Sequence, residues 1–185
     1  MDQHYEAIER AFPELASIEN SELRDSVREA WAIAMTDNAI ADIEAVPWFP
    51  PVQRSLDLSN ERLVPHIRDV TQGALALVAT LKERRSVTLS VDTVIAGALL
   101  HDVSKLYEFD GMEATTIGTL LGHPYYGVSV IAAAELPVEL AHIVLSHTHR
   151  TNIEPATLEA TVVRQADAVA AAAIRAQADT DYNTT

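Results

Sequence analysis

The chain has 185 residues, enough for one well-buried domain; 48% are apolar, glycine and proline are sparse and aromatics few, which favours helix over an all-β architecture. The formal net charge is −14, and only Lys82 and Lys105 of the 13 basic residues are lysines, so duplex nucleic acid is not expected as a partner. The absence of cysteine excludes disulfides, thiolate catalysis, cysteine-ligated zinc and iron–sulfur clusters.

The first residues, Met1-Asp2-Gln3-His4-Tyr5-Glu6, lack a basic stretch followed by an apolar one, and no apolar run approaches a membrane span. The expectation is a soluble cytoplasmic protein with no membrane partner. Residues 3–16 and 21–36 read as amphipathic helices, with Tyr5, Ile8, Phe12 and Leu15 on one, Leu23, Val27, Trp31 and Ile33 on the other, and Ser21 as a cap. His4 falls in what reads as a mobile, solvated terminus. Residues 45–58 hold three prolines with Trp48 and Phe49, and read as a fixed, irregular connection that serves as a linker or walls a pocket.

From Ser59 to about Arg85 the pattern predicts a long helix with Val70, Ala74, Leu77, Leu81 and His66 on one side; Pro65 starts it or kinks it, and either way His66 lies near a helix start. Residues 91–107 predict a helix whose inward face carries Ile95, Ala98, Leu99 and Asp102. Its apolar run ends abruptly in His101-Asp102-Val103-Ser104-Lys105, where Lys105 shares a helical surface with His101 and Asp102. A metal or a phosphate explains that cluster better than packing does. After a loop around Asp110-Gly111, Gly122-His123-Pro124 reads as a helix start, with Pro124 in the first helical position and the helix running to about Ala134. Another helix runs from Pro137 to around Ser146-His147-Thr148-His149-Arg150, and a last one from about Pro155 to Ala178 with Asp167 on its apolar face. Asp179 to Thr185 reads as a frayed tail. The expected fold is an all-α bundle (59–178) with an N-terminal helical extension and proline-rich connection (1–58) and a flexible tail (179–185).

His66, His101, Asp102, His123, His147 and Asp167 are the inward-facing or helix-end polar residues. Each has an ordinary reading alone: His66 as a core histidine, Asp102 and Asp167 as partners of arginines, His123 as a cap. Together, buried on apolar faces, they require a shared compensating charge and form a metal-ligand set. Imidazole and carboxylate without thiolate suit Mn, Fe, Co, Ni or Zn, and the set is too large for one tetrahedral ion. His142 has no partner in the pattern and reads as structural. Between His147 and His149 the choice stays open.

In this order and context the residues resemble the HD-domain superfamily of metal-dependent phosphohydrolases, in its dinuclear form. His101-Asp102-Val103-Ser104-Lys105 is similar to the family's His-Asp-x-x-Lys, Gly122-His123-Pro124 to its Gly-His-Pro, and Ala166-Asp167 to its Ala-Asp ending. The resemblance covers about residues 59–175. It implies an HD-domain helical bundle in which His66, His101, Asp102 and Asp167 bind one ion and Asp102 bridges to a second held by His123 and His147. The cofactors implied are two divalent transition-metal ions, Fe or Mn foremost, with Mg, Co, Ni or Zn as alternatives. Ser146-His147-Thr148-His149 departs from the family's adjacent histidines, and the Gly-Tyr-Pro signature of the cyclic-dinucleotide-cleaving subgroup is absent.

The expected activity is hydrolysis of a phosphate ester of a nucleotide or another small phosphorylated compound, with Asp102 and Lys105 as catalytic residues and Lys105 on the phosphate. A mixed-valent diiron oxygenase acting on a small hydroxylated or phosphonate substrate is the alternative, and a non-catalytic HD-fold binding module the third reading. Specificity is expected from Trp48-Phe49, the 108–119 loop, Tyr125-Tyr126 and Arg150. A homo-oligomer contact through the N-terminal helices is left open.

Overall fold

Proline placement sets the first elements. In the computed structural model, which describes residues 2–178, helix α1 (Asp2–Ala11) stops before Pro13, and a 3₁₀ turn (Pro13–Ser17) follows. The predicted helix 3–16 is thus cut, because the residue before a proline is driven out of the α region and Phe12 is non-helical. His4 is part of α1, its Nδ1 3.2 Å from Thr36 Oγ1, and does not lie in a loose terminus. Helix α2 (Ser21–Asp37) is capped by Asn20, not Ser21: the Asn20 side chain accepts from the Leu23 amide. After a short 3₁₀ turn (Ile43–Ala45), Pro50 and Pro51 open helix α3 (Pro50–Leu56), where their missing amides cost nothing. The proline-rich connection therefore contains a helix, and its Pro47 forms an isolated β-bridge with Arg62.

Helix α4 (Leu63–Arg84) starts two residues before Pro65, which sits unstrained in the first turn, and buries Val70, Ala74 and Val78, whereas Leu77 is exposed. Helix α5 (Val91–Leu100) is the centre of the bundle. Every residue from Val94 to Leu100 is buried, as expected of a helix that is apolar all round and packs against α2, α4, α9 and α10 (the last two defined below). The predicted helix 91–107 breaks at His101. Tight bonds from the Val103 amide to the Leu100 carbonyl and from the Lys105 amide to the Asp102 carbonyl turn the chain before helix α6 (Lys105–Glu108).

A hairpin, β1 (Phe109–Asp110) and β2 (Glu113–Ala114), turns at Gly111 and leads into helix α7 (Thr116–Leu120), which the sequence reading lacks. Gly122, at φ 73°, supplies the left-handed turn into α8 (His123–Ala133), with His123 itself the first helical residue and Pro124 the second. Helix α9 (Val138–Ser146) follows Pro137, and α10 (Leu158–Ala178) lies along α4. Ile8 of α1, Phe12 just after it and Trp31 of α2 belong to the same buried cluster as Leu99 and Ile143. The expected tail, 179–185, lies outside the described residues.

Candidate metal centre

Five helix ends or faces deliver the polar cluster. His66 comes from the first turn of α4, His101 from the C-terminal cap of α5, and Asp102 from the turn after it; His123 opens α8, His147 caps α9, and Asp167 stands midway along α10. Helix termini suit this task because a side chain there leaves the packed stripe without interrupting it. His66, His101, Asp102, His123 and His147 are all buried.

These residues fall into two groups of three, His66 with His101 and Asp167, and Asp102 with His123 and His147; within each, the ligand atoms lie within 4.8 Å of one another. Asp102 stands between them. Its Oδ2 is 3.4 Å from His66 Nε2 and 3.3 Å from His101 Nε2, and its Oδ1 is 3.2 Å from His123 Nε2 and 3.7 Å from His147 Nε2. Asp167 Oδ1 lies 3.2 Å from His66 Nε2.

The outer atoms fix which nitrogen faces inward. His101 Nδ1–H donates to the Ala98 carbonyl at 2.6 Å and His147 Nδ1–H to the Val144 carbonyl at 2.7 Å. His123 Nδ1–H donates to Glu108 Oε2 at 2.5 Å, while Glu108 Oε1 is held by Arg150 Nη2 at 2.9 Å. Since each outer nitrogen carries the proton, each Nε2 presents a lone pair to the centre. His101 and His123 Nε2 lie beside Asp102 oxygens in this state, and Asp102 Oδ1 is a buried acceptor with no hydrogen-bond partner. Lone pairs converging on an unsatisfied carboxylate oxygen repel unless a cation lies between them, so the donor set fits divalent metal.

Electrostatics agree with that chemistry at both carboxylates and at His123 and His147. Burial alone would raise the Asp102 pKa, yet Lys105 Nζ, 2.7 Å from Oδ2, and then His101 hold it well below the usual carboxylate range. Burial likewise opposes ionisation of Asp167, but the hydrogen bond to His66 and the charge at His101 keep its pKa low. Burial, seconded by His101, pushes His147 down to about 3, and burial also lowers His123, so both stay neutral and able to ligate. His101 goes the other way: burial opposes the rise, but Asp102 and then Asp167 outweigh it.

All residues of the two groups except the fully buried His101 line a cleft of about 480 Å³. Trp48 and Phe49 wall it, as one reading of the 45–58 segment expected. Lys105, Arg150, Arg164 and Arg175 bring positive charge to it. Other expected specificity residues lie elsewhere: Tyr125 is exposed, Tyr126 stacks on Tyr107 with ring centroids 4.9 Å apart, and of the 108–119 loop only Glu108 reaches the centre, through His123. Geometry separates the two candidate histidines. His147 joins the cluster, whereas His149 Nδ1 lies 2.5 Å from Arg164 Nη2. His142 is structural, its Nε2 accepting from the Ala156 amide at 2.8 Å. Sequence reasoning missed Glu108, Arg164 and Arg175; the signal for Glu108 was an acid within the apolar run Leu106-Tyr107-Glu108-Phe109.

An all-α bundle that gathers histidines and aspartates from separate helix ends and one helix face into paired candidate ligand groups has the form of a helical metal-binding protein. More narrowly, the chain belongs to the HD-domain family, whose family model, described as "HD domain", matches residues 64–172. The chain is also 34% identical over 110 residues to the dihydroneopterin 2′,3′-cyclic phosphate phosphodiesterase of Methanocaldococcus jannaschii. That match takes in 57% of this chain and 44% of the relative, so it spans less than half the relative's length. No solved structure gives a significant match. Among the described residues, no helix is long and apolar enough to cross a membrane.

Proposed function

We propose that the chain is a metal-dependent phosphohydrolase that cleaves a phosphate ester of a nucleotide or another small phosphorylated compound. The observation that carries this reading is the cleft's charge. A chain of net charge −14 places Lys105, Arg150, Arg164 and Arg175 around paired His/Asp groups, an arrangement that selects an anion and brings it to metal. His66, His101 and Asp167 would hold one ion, His123 and His147 the other, and Asp102 would offer one oxygen to each. Ions bound there supply Lewis acidity, acidifying a water and withdrawing charge from the phosphoryl oxygens.

The chain's own groups do the rest. Lys105, buried beside Asp102, projects its ammonium into the cleft below the faces of Trp48 and Phe49, at 5.7 and 5.3 Å from their centroids. Held there, it meets a phosphoryl oxygen as a point charge. Glu108 and Arg150 keep the His123 ring in its ligating orientation. The relative's activity supports including cyclic phosphodiesters among the substrates.

The test is metal analysis of the protein as isolated, then a screen of phosphomonoesters and cyclic phosphodiesters with the metal found. Hydrolysis independent of oxygen is expected, and Lys105→Ala, compared in the metal-loaded state, should lower kcat/KM about 100-fold, the scale for losing one charge-stabilising group. Turnover that requires oxygen, or full activity in the variant, would overturn the reading.

A further inference from the structure

We propose that the cleft holds a second anion subsite, at Arg175, and that the preferred substrate is an elongated phosphoester with a second anionic group remote from the bond that is cut. This rests on the phosphohydrolase reading above and names the substrate class of the same site.

The argument begins with the face of α10. Arg164, Asp167, Ala168, Ala171 and Arg175 all line the cleft, and their spacing is that of one helical stripe. Asp167 stands at the ligand groups, and the Arg175 backbone follows eight residues later, about 12 Å farther along the axis at 1.5 Å per residue, while its guanidinium lies over Trp48, a side chain of the cleft wall. Between them the stripe carries only Ala168 and Ala171. That leaves open floor where larger side chains would close the cleft, and a volume of about 480 Å³, in the range of sites that take a whole small molecule.

Arg175 is exposed, and one aromatic contact orients it over the cleft. Its guanidinium carbon lies 5.6 Å from the centroid of the Trp48 ring, and Trp48 is itself buried, 5.3 Å from the His66 ring. A guanidinium laid on an indole keeps its edge N–H groups free to meet an oxyanion. The other three cleft cations are each committed: Lys105 to Asp102 at 2.7 Å, Arg150 to Glu108 at 2.9 Å, and Arg164 to Glu154 at 2.7 Å. Arg175 makes no ion pair among the described residues. Its ordinary role, a last-turn cation that answers the helix dipole and covers an indole, accounts for charge at this end of α10. It does not account for an alanine floor leading from the ligand groups to that charge.

The experiment compares alkanediol bisphosphates of increasing chain length with the matching ω-hydroxyalkyl and ω-carboxyalkyl phosphates. Metal-loaded wild type and Arg175→Gln are assayed side by side. Wild type should favour long bisphosphates over hydroxyalkyl phosphates by tenfold or more in kcat/KM, mainly through KM, and R175Q should reduce that ratio to within about twofold. The carboxyalkyl series shows whether the distal group can be a carboxylate as well as a phosphate. A merely structural Arg175 would lower all substrates in proportion and leave the ratio intact, which would overturn the subsite, as would equal rates for both series in wild type. If nothing is hydrolysed, the phosphohydrolase reading fails separately. Calorimetry with non-hydrolysable alkane bisphosphonates then decides the subsite alone: binding at least tenfold weaker in R175Q supports it, and equal binding refutes it.

Discussion

Asp102 is the residue whose carboxylate faces both candidate ligand groups. One oxygen faces His66 and His101, the other His123 and His147, and Lys105 holds the carboxylate ionised despite full burial. A single residue with that geometry couples the two groups, whereas His147 touches only the second. Asp102→Asn should therefore deplete metal at both groups, while His147→Gln should reduce it only at its own. Metal analysis of the purified variants reads this directly, and equal losses from the two substitutions would contradict a shared carboxylate. The variants also differ in folding: Asp102→Asn would leave Lys105 buried without its counter-ion, a cost of about 3–5 kcal/mol seen as a lower Tm in the metal-free protein.

At the scale of elements, α6 has a purpose that its four residues do not advertise. The turn that ends α5 at His101 points Lys105 at Asp102, and one helical turn later presents Glu108 to the outer nitrogen of His123. Glu108 keeps a low pKa although burial opposes it, because His123 and Arg150 both bond the carboxylate. Glu108→Gln keeps an acceptor but loses the charge, and should weaken metal binding at the His123 group about 10- to 100-fold. Competition with a chelator measures this, and an unchanged affinity would reduce Glu108 to a packing residue. The same elements show what was readable in advance. Gly122-His123-Pro124 announces α8 because a positive φ and a proline in the first turn are local signals. The all-α class follows from periodicity, and the six-residue polar cluster follows from polar residues at inward-facing or helix-end positions. The break after Leu100 was not readable: the apolar run continues through Val103 and Leu106, with no proline or glycine to mark the turn that the Val103–Leu100 and Lys105–Asp102 backbone bonds make. Pro50 and Pro51 misled in the opposite direction, since a pair of prolines signals a helix start as well as a loop. Arg164 and Arg175 carry no local signal of their own on a long helix, and are cleft residues only through the packing of α10 against α4.

Across the whole molecule, the segment before the HD-domain match is part of the same structure. Trp31 Nε1 donates to the Leu99 carbonyl at 3.1 Å, just before the ligand turn, and Trp48 supplies the platform for Arg175. The larger-scale feature is the opposition between a net charge of −14 and four basic side chains gathered at one cleft. An approaching phosphoester feels both, over different ranges. At about 10 mM salt the Debye length is roughly 30 Å, and the anion is repelled by the whole surface; at about 150 mM it is roughly 8 Å, and only the cleft is felt. For a phosphoester substrate at saturating metal, kcat/KM should therefore rise as a non-chelating salt is added from about 10 to about 150 mM, then fall as the cleft's own attraction is screened. The rise should appear in KM, because the chemical step lies within the cleft and is shielded from the distant surface. A steady fall from the lowest salt upward would mean that Lys105 and the three arginines outweigh the surface at every range.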